Sequence, residues 1–215
     1  MRKLIYLSLM VLAVTFVSCS DDDGDTLYQS YGVVKEDINS TNKFYVRTDK
    51  GHVLIPTTSI LKVEDIGKRV WMAFTTDDDV NADTIRTKVY DFLRITQVNI
   101  QTGGLDTLSN DRVKPEKYWV AQNYLTMHIP TYASSEYDLE KHKWYMYSGM
   151  DIVNDTLNME LRYDNNRDNP YRIFNKVIAV PLNGINPEKE IVIAVKYKYE
   201  DSTDKTIYLE YKPEE

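Results

Sequence analysis

The sequence contains the stretch Ile191-Val192-Ile193-Ala194-Val195-Lys196-Tyr197-Lys198-Tyr199, which is rich in β-branched and aromatic residues. Such residues favour a half-buried strand. The segment Thr206 to Lys212 has the same character, and the five residues Asp201 to Lys205 between the two segments have the length of a hairpin loop. The end of the chain therefore predicts two antiparallel strands.

The same two-residue alternation recurs earlier in the chain. Val70, Met72 and Phe74 share one face of their segment, and the alternation from Leu157 to Tyr163 is nearly strict. No stretch carries a 3.6-residue apolar period over three turns. The sequence therefore predicts an all-β protein.

Two glycine-containing turns organise this β-rich chain. Asp49-Lys50-Gly51 predicts a hairpin turn between two short strands, and Thr102-Gly103-Gly104 indicates a loop or a domain joint. We therefore predict a small five-stranded barrel over residues 28–102 and a two-sheet β-sandwich over residues 103–215.

The N-terminus has the layout of a secretory signal. Met1-Arg2-Lys3 is basic, and Leu4 to Val17 is a 14-residue apolar run that ends just before Cys19, the only cysteine. A transmembrane helix needs about 20 apolar residues, so this run is too short. A plain signal peptide would leave Cys19 as an odd free thiol in an oxidising compartment.

The residues around the cysteine, Phe16-Val17-Ser18-Cys19, resemble the lipobox of bacterial lipoproteins, with Phe16 in place of the usual leucine. In that motif the cysteine is acylated and becomes the mature N-terminus. The resemblance implies a cleaved signal peptide over residues 1–18 and a lipid anchor at Cys19.

An acidic tether over residues 19–27 follows the signal, and it contains Ser20, Asp21, Asp22 and Asp23. A block of like charge stays extended in water, and at about 3.3 Å per residue the six residues from Ser20 to Asp25 reach about 20 Å. Acidic residues directly after an acylated cysteine resemble the surface-export signal of lipoproteins in gut-type Gram-negative anaerobes. The resemblance implies an outer-membrane, lipid-anchored position facing the cell exterior; the alternative is a plain solvated spacer.

The charge of the mature chain limits its partners. Removal of Arg2 and Lys3 lowers the basic count from 26 to 24 against 33 acidic residues, which gives a net charge of −9. Nucleic-acid binding requires a basic surface, so we expect no nucleic-acid partner. We expect the acyl chains, and not the protein surface, to hold the chain on the membrane.

Short motifs in both halves resemble one family, the NigD-like lipoproteins. The motifs are Tyr31 to Val34, Thr48 to Pro56 and Gly67 to Met72 for the N-terminal domain, and Asn123 to Met127, His142-Lys143 and Leu157 to Asp164 for the C-terminal domain. The resemblance implies an OB-like barrel followed by a β-sandwich, and through the family name a link to a bacteriocin gene cluster. Tyr163 departs from the family pattern, which has a histidine there.

The sequence nominates no catalytic residues. It has no Gly-x-Ser-x-Gly elbow, and His52, His128 and His142 lack the spacing of zinc ligands. His128 is predicted to face out of a strand and His142 to lie in a loop. We therefore expect a protein that is not an enzyme and has no cofactor.

Two acidic loops have the Asp-x-Asn-x-Asp pattern with which a calcium-binding loop begins. The oxygen-bearing residues are Asp79, Asn81 and Asp83 in one loop and Asp164, Asn166 and Asp168 in the other. Both loops lack the glycine at position 6 and the glutamate at position 12. They are weak metal candidates, and a polar turn explains them as well.

The aromatic run Trp144, Tyr145 and Tyr147 is the candidate interaction surface. Trp144 lies at one parity of its strand and the two tyrosines at the other, so one set should face away from the core. Aromatic residues also fill β cores, which is the alternative reading.

Three functions remain open. The first is a non-catalytic, surface-anchored module that binds an unknown protein or glycan. The second is an accessory or immunity protein of a bacteriocin system. The third is an enzyme whose catalytic residues the sequence does not reveal.

Overall fold

The computed structural model describes residues 26–37, 44–104, 109–169, 171–185 and 187–213. Over these residues the chain is almost entirely β, with one short helix, α1 (Glu136–Leu139), which confirms the predicted fold class. No helix among them is long and apolar enough to cross a membrane. The predicted signal peptide, the anchor Cys19 and the acidic residues up to Asp25 lie outside the described residues.

The first domain is a closed barrel with the strand order β1-β2-β3-β5-β4. Its strands are β1 (Tyr28–Glu36), β2 (Phe44–Thr48), β3 (Val53–Pro56), β4 (Arg69–Thr75) and β5 (Thr84–Arg94). The pair β3–β5 is parallel and the others are antiparallel. A short 3₁₀ helix, Val63–Asp65, lies between β3 and β4. This arrangement confirms the predicted small OB-like barrel.

The interior of the barrel is filled by the alternating residues that the sequence pattern identified. Val70, Met72 and Phe74 of β4 all lie in its core, as predicted. Gly32 of β1 allows a close approach of β2, because a Cβ atom there would lie 2.5 Å from the carbonyl oxygen of Arg47. The barrel therefore depends on one small residue as well as on its apolar face.

The second domain is a two-sheet sandwich. The five-stranded sheet has the order β14-β13-β11-β10-β7, and the four-stranded sheet has the order β6-β12-β9-β8. The strands are β6 (Thr96–Gln97), β7 (Ile100–Gln101), β8 (Lys117–Ala121), β9 (Tyr124–Ala133), β10 (Lys143–Val153), β11 (Thr156–Asp164), β12 (Arg172–Pro181), β13 (Ile191–Lys198) and β14 (Asp204–Tyr211).

The predicted C-terminal hairpin is present as β13 and β14, which pair antiparallel from Ile191↔Tyr211 to Lys198↔Asp204. The backbone N–H of Tyr199 donates to the carbonyl oxygen of Thr203 at 2.8 Å and closes the turn. Within the sandwich, β13 also pairs parallel with β11. This second pairing joins segments that are distant in the sequence.

The predicted domain boundary at Thr102-Gly103-Gly104 is placed too late. Strand β5 of the barrel ends at Arg94, and Thr96–Gln97 and Ile100–Gln101 already pair with strands of the two sandwich sheets. The barrel therefore ends before Thr96. The two glycines mark a loop within the sandwich and not the joint, and the strands before them are too short to show an alternation.

A buried polar cluster joins the two domains. The guanidinium of Arg69, on the barrel, donates to both carboxylate oxygens of Asp49 at 2.5 Å and to Thr126 Oγ1 of the sandwich at 2.9 Å. The indole N–H of Trp119, also on the sandwich, donates to Asp49 Oδ2 at 2.8 Å. The side chain of Arg69 is fully buried, so Asp49 of the same barrel neutralises its charge, while Thr126 and Trp119 of the sandwich complete the cluster.

A second contact of the joint connects Tyr31 with His128, whose side chain faces away from the sandwich core as predicted but is partly covered by the barrel. Burial raises the pKa of Tyr31 to about 12, so its hydroxyl stays protonated, and it is hydrogen-bonded to His128 Nε2 at 2.8 Å. Burial, with a contribution from Lys117, lowers the pKa of His128. Tyr124 donates its hydroxyl proton to the carbonyl oxygen of Gly67 and so adds a third bridge.

Candidate functional site

An open groove of about 780 Å³ crosses the outer face of the five-stranded sheet, and we name it the sheet groove. It exists because the strands alternate strictly. On β11, Leu157, Met159 and Leu161 point into the sandwich core, so Asn158 and Glu160 point outward. The outward side chains of neighbouring strands meet in rows across the sheet.

The first row of the sheet groove consists of polar side chains. Strand register aligns them in the order Gln101, Tyr147, Glu160, Lys196 and Thr206. The row therefore runs across all five strands and offers an amide, a phenol, a carboxylate, an ammonium and a hydroxyl group. Such a series can both donate and accept hydrogen bonds along its length.

The two charges of this row are held in ion pairs. Glu160 Oε1 lies 2.5 Å from Arg162 Nε, and Lys196 Nζ lies 2.7 Å from Asp204 Oδ2. The hydrogen bond from Lys196 to Asp204 raises the pKa of the lysine. The groove thus presents charged groups of both signs, each with a partner of its own.

The second row, Asn158, Ala194 and Tyr208, forms a trough with one aromatic wall. The register places Ala194 between Asn158 on β11 and Tyr208 on β14. Alanine is short, so it leaves space between its longer neighbours. The side chain of Tyr208 is 69 % exposed, which leaves its ring free for contact with a flat ligand surface.

Tyr147 lies deep in the sheet groove with only 2 % of its surface exposed. Its hydroxyl is buried and has no hydrogen-bond partner among the residues that the structure describes. Burial raises the pKa of Tyr147, so the hydroxyl is neutral and able to donate. A buried hydroxyl without a partner costs about 1–3 kcal/mol, which a ligand that reaches it would relieve.

The rim of the groove is formed by the end of the β10–β11 hairpin. The register shifts between Ser148 and Ile152, and Met150 has a φ of 63°. Ser148 Oγ donates to the carbonyl oxygen of Asn158 at 2.9 Å and accepts from the N–H of Met150 at 3.0 Å. This irregularity turns the strand and raises an edge beside the trough.

The structure separates the predicted aromatic run into two environments. Trp144 is in the sandwich core, stacked on Tyr163 with ring centroids 4.3 Å apart, so it is not part of an exposed surface. Tyr145 and Tyr147 lie on the opposite face, where Tyr147 contributes to the groove. Their role in an interaction stays a prediction.

His142 lies in the loop before β10, as the sequence predicts, and its side chain is buried in a chain of hydrogen bonds. Its Nδ1 is 2.6 Å from the hydroxyl of Tyr163, and its Nε2 is 3.3 Å from Asp168 Oδ2. Asp168 also accepts hydrogen bonds from the N–H and the hydroxyl of Ser134. Burial raises the pKa of Tyr163, so this phenol is not an activated base. The chain links the β11–β12 loop to the segment that precedes α1.

The two calcium-like loops direct their side chains to other partners. Asp79 Oδ1 accepts from both the backbone and the side-chain nitrogen of Asn81, and Asp164 Oδ1 accepts from the backbone nitrogen of Asn166. Asp168 is turned towards Ser134. Within the residues that the structure describes, no three His, Cys, Asp or Glu side chains are grouped to hold a metal ion.

Several residues of the sheet groove were missed by the sequence analysis. They are Gln101, Asn158, Glu160, Ala194, Lys196, Thr206 and Tyr208. The alternation does indicate that Asn158, Glu160 and Lys196 face outward. It gives no sign that they are neighbours, because the pairing of β11 with β13 joins distant segments.

Fold and groove together define a class: an all-β protein in which an OB-like barrel is joined to a β-sandwich with an open polar groove. The model of the NigD-like C-terminal beta sandwich domain matches residues 96–211. This chain belongs to the NigD-like family. The match begins at the strand with which the sandwich starts in the structure. No curated protein matches the chain in sequence.

Solved structures with the same fold include proteins of Parabacteroides and Bacteroides species. A protein of Parabacteroides distasonis, provisionally assigned as toxin-related, is 18% identical with a TM-score of 0.71, covering 87% of this chain and 94% of its own. A NigD-like immunity protein of Bacteroides caccae is 20% identical with a TM-score of 0.65, covering 88% and 98%. A protein of Bacteroides fragilis, provisionally assigned as a lipoprotein, is 14% identical with a TM-score of 0.65, covering 88% and 100%. At these identities the likeness concerns the fold.

Proposed function

We propose that this chain is a lipid-anchored protein of the outer membrane, facing the cell exterior, and that it acts as a non-catalytic binding module. The observation that carries the binding role is the open row of paired polar groups across the five-stranded sheet. The lipobox-like segment at Cys19 and the acidic tether support the location. The Bacteroides fragilis neighbour, provisionally assigned as a lipoprotein, agrees with the anchor.

The arrangement of the groove favours recognition over catalysis. Glu160 and Lys196, its ionisable side chains with opposite charges, are each engaged in an ion pair, and Tyr147 has a raised pKa. A general base or nucleophile requires a pKa tuned towards neutrality, whereas the pKa values of Lys196 and Tyr147 are both raised. Hydrogen-bond donors and acceptors fixed on a rigid sheet are suited to holding a ligand.

The anchor is tested by Cys19→Ala. Without an acylation site the protein should move from the membrane fraction to the soluble fraction, because the acidic surface offers no other attachment. A variant that still needs detergent for release would contradict the lipid anchor.

The outward orientation is tested by replacing Asp21, Asp22 and Asp23 with alanine. If the acidic block directs export, the variant stays acylated but becomes protected from protease added to whole cells. Equal digestion of the variant and the wild type would show that the block is a spacer.

The binding role is tested by a photo-crosslinking amino acid placed at Tyr208 in living cells. Position 208 should form adducts of higher mass. Position 171 is the matched control, because Tyr171 is 70% exposed but lies outside the groove. The absence of adducts at position 208, or equal adducts at both positions, would contradict a binding role for the groove.

A second candidate function is immunity against a bacteriocin, which is favoured by the description of the Bacteroides caccae neighbour as a NigD-like immunity protein. In that case deletion of the gene should sensitise cells to the bacteriocin made by neighbouring genes. Restoration of survival by the wild-type gene is the expected result, and unchanged survival of the deletion strain would exclude this function.

A further inference from the structure

We infer that the sheet groove binds a neutral carbohydrate chain. The inference rests on the proposed function, since it names the ligand class of the same site. It follows from four properties of the groove. The backbone groups of its floor are engaged in the sheet, so only side chains can contact a ligand. These side chains include hydrogen-bond donors and acceptors, one wall is an exposed aromatic ring, and the charged groups are held in ion pairs.

The floor of the groove offers side chains alone. Asn158 lies on β11, which is paired with β10 on one side and β13 on the other, and Ala194 lies on β13, between β11 and β14. The backbone groups of both strands are therefore engaged in the sheet. An extended peptide that binds by strand addition requires a free sheet edge, which the centre of this groove does not provide.

The side chains of the floor match the chemistry of sugar hydroxyl groups. Each such hydroxyl donates one hydrogen bond and accepts others. The side-chain amides of Gln101 and Asn158 can accept from it and donate to it. Within the described part of the chain the buried hydroxyl of Tyr147 has no hydrogen-bond partner, so a ligand hydroxyl would supply one. The two amides and the phenol lie on adjacent strands within the same groove.

The exposed ring of Tyr208 supplies the apolar contact. A pyranose ring has an apolar face of C–H groups, which packs well on an aromatic ring. Ala194, directly beside Tyr208, leaves the depth that such a ring needs. A ligand with both a flat apolar face and a rim of hydroxyl groups therefore fits this part of the groove.

The charges indicate a neutral ligand. Glu160 and Lys196 face each other across β11 and β13, and each is already paired, with Arg162 and Asp204 respectively. A charged ligand would have to compete with these pairs. The mature chain is also strongly acidic, so it repels polyanionic glycans.

The length of the groove indicates a chain and not a single sugar. Neighbouring strands lie about 4.8 Å apart, so a row across five strands spans about 19 Å. Because the row from Gln101 to Thr206 follows this full width, several successive sugar units can contact it. Affinity would then accumulate from many weak contacts.

The test uses the mature chain with Cys19→Ala, labelled and applied to an array of neutral and acidic oligosaccharides. We expect binding confined to neutral members, with a loss of at least about tenfold in apparent affinity for Tyr208→Ala and Asn158→Ala. Tyr171→Ala is the matched control and should bind like the wild type. Melting curves confirm that each variant is folded.

Three outcomes would overturn the inference: no signal from any neutral oligosaccharide, signal from acidic members alone, or unchanged binding by Tyr208→Ala. The photo-crosslink at position 208 distinguishes an error in the carbohydrate inference from an error in the proposed binding function. A carbohydrate adduct is sensitive to periodate, whereas an adduct with a protein resists it. A periodate-resistant adduct would refute the carbohydrate ligand and leave the binding module intact, and no adduct would refute both.

Discussion

Replacing Asp49 with alanine should destabilise both domains together, because Asp49 is the counter-charge of a fully buried arginine. Its carboxylate accepts two hydrogen bonds from Arg69 and one from Trp119. After the substitution the guanidinium keeps its bond to Thr126 but loses its negative partner. An arginine stays protonated, so its charge cannot be removed to relieve the penalty.

The magnitude follows from the burial of the pair. Removal of one partner of a buried ion pair costs about 3–5 kcal/mol, and the remaining charge accounts for most of it. The side chain of Asp49 is 21% exposed, so water can reach the vacated space, and we expect the lower end, about 3 kcal/mol. For a protein of this size, that corresponds to a fall in melting temperature of about 6–12 °C.

The measurement is urea unfolding of the unacylated chain at neutral pH, followed by tryptophan fluorescence. Trp119 lies at the joint itself, so the fluorescence signal reports the region that is changed. The matched control is Lys189→Ala, which removes an ion pair with Asp155 in which both side chains are largely exposed. Exposed pairs contribute little to stability, so the control should hardly move the midpoint.

A midpoint for Asp49→Ala equal to that of Lys189→Ala would refute the reasoning. It would mean that the guanidinium of Arg69 is as well solvated without Asp49 as with it. A single transition that splits into two would instead support the view that the cluster couples the domains, because loss of the joint lets each domain unfold by itself.

Three further outcomes can be measured on the same chain. Gly32→Ala should destabilise the barrel by about 1–3 kcal/mol in urea, because its Cβ would meet the carbonyl oxygen of Arg47; an unchanged midpoint would contradict this contact. Because the pKa of His128 is lowered in the folded protein, the unfolded chain takes up a proton more readily, so stability should fall as the pH drops below about 6.5. This pH dependence of stability should be smaller in His128→Gln. An unchanged pH dependence in that variant would exclude this histidine as its cause. Millimolar calcium should not raise the melting temperature, and a drop of several degrees on chelation would show that the Asp79 or Asp164 loop is a metal site.

Local sequence patterns predicted most of the fold, because the alternation of apolar and polar residues along a strand indicates which of its faces is buried. Val70, Met72 and Phe74 enter the barrel core, and the hairpin after Ile191 forms where its loop was expected. The family resemblance implied the same order of domains, an OB-like barrel followed by a β-sandwich. The boundary was misplaced because Thr96–Gln97 is only two residues long, and a strand of that length carries no alternation.

Burial of polar residues was harder to predict, since it depends on the partner and not on the residue itself. His142 follows two charged residues and looks exposed in the sequence, yet Tyr163 and Asp168 reach it from a later strand and loop. Arg69 begins a strand and would be placed in solvent by its charge. It is buried because Asp49 and Thr126, from two different domains, satisfy its donors.

The candidate site was not visible in the sequence because register creates it. Asn158 and Ala194 are 36 positions apart, and only the parallel pairing of β11 with β13 makes them neighbours. A slip of one residue in that pairing would turn the row inward and bury Glu160 in the core. The groove is therefore as strictly specified as the core, because the apolar residues that fix the register, Leu157 and Ile193 among them, also fix which polar side chains meet on the outer face.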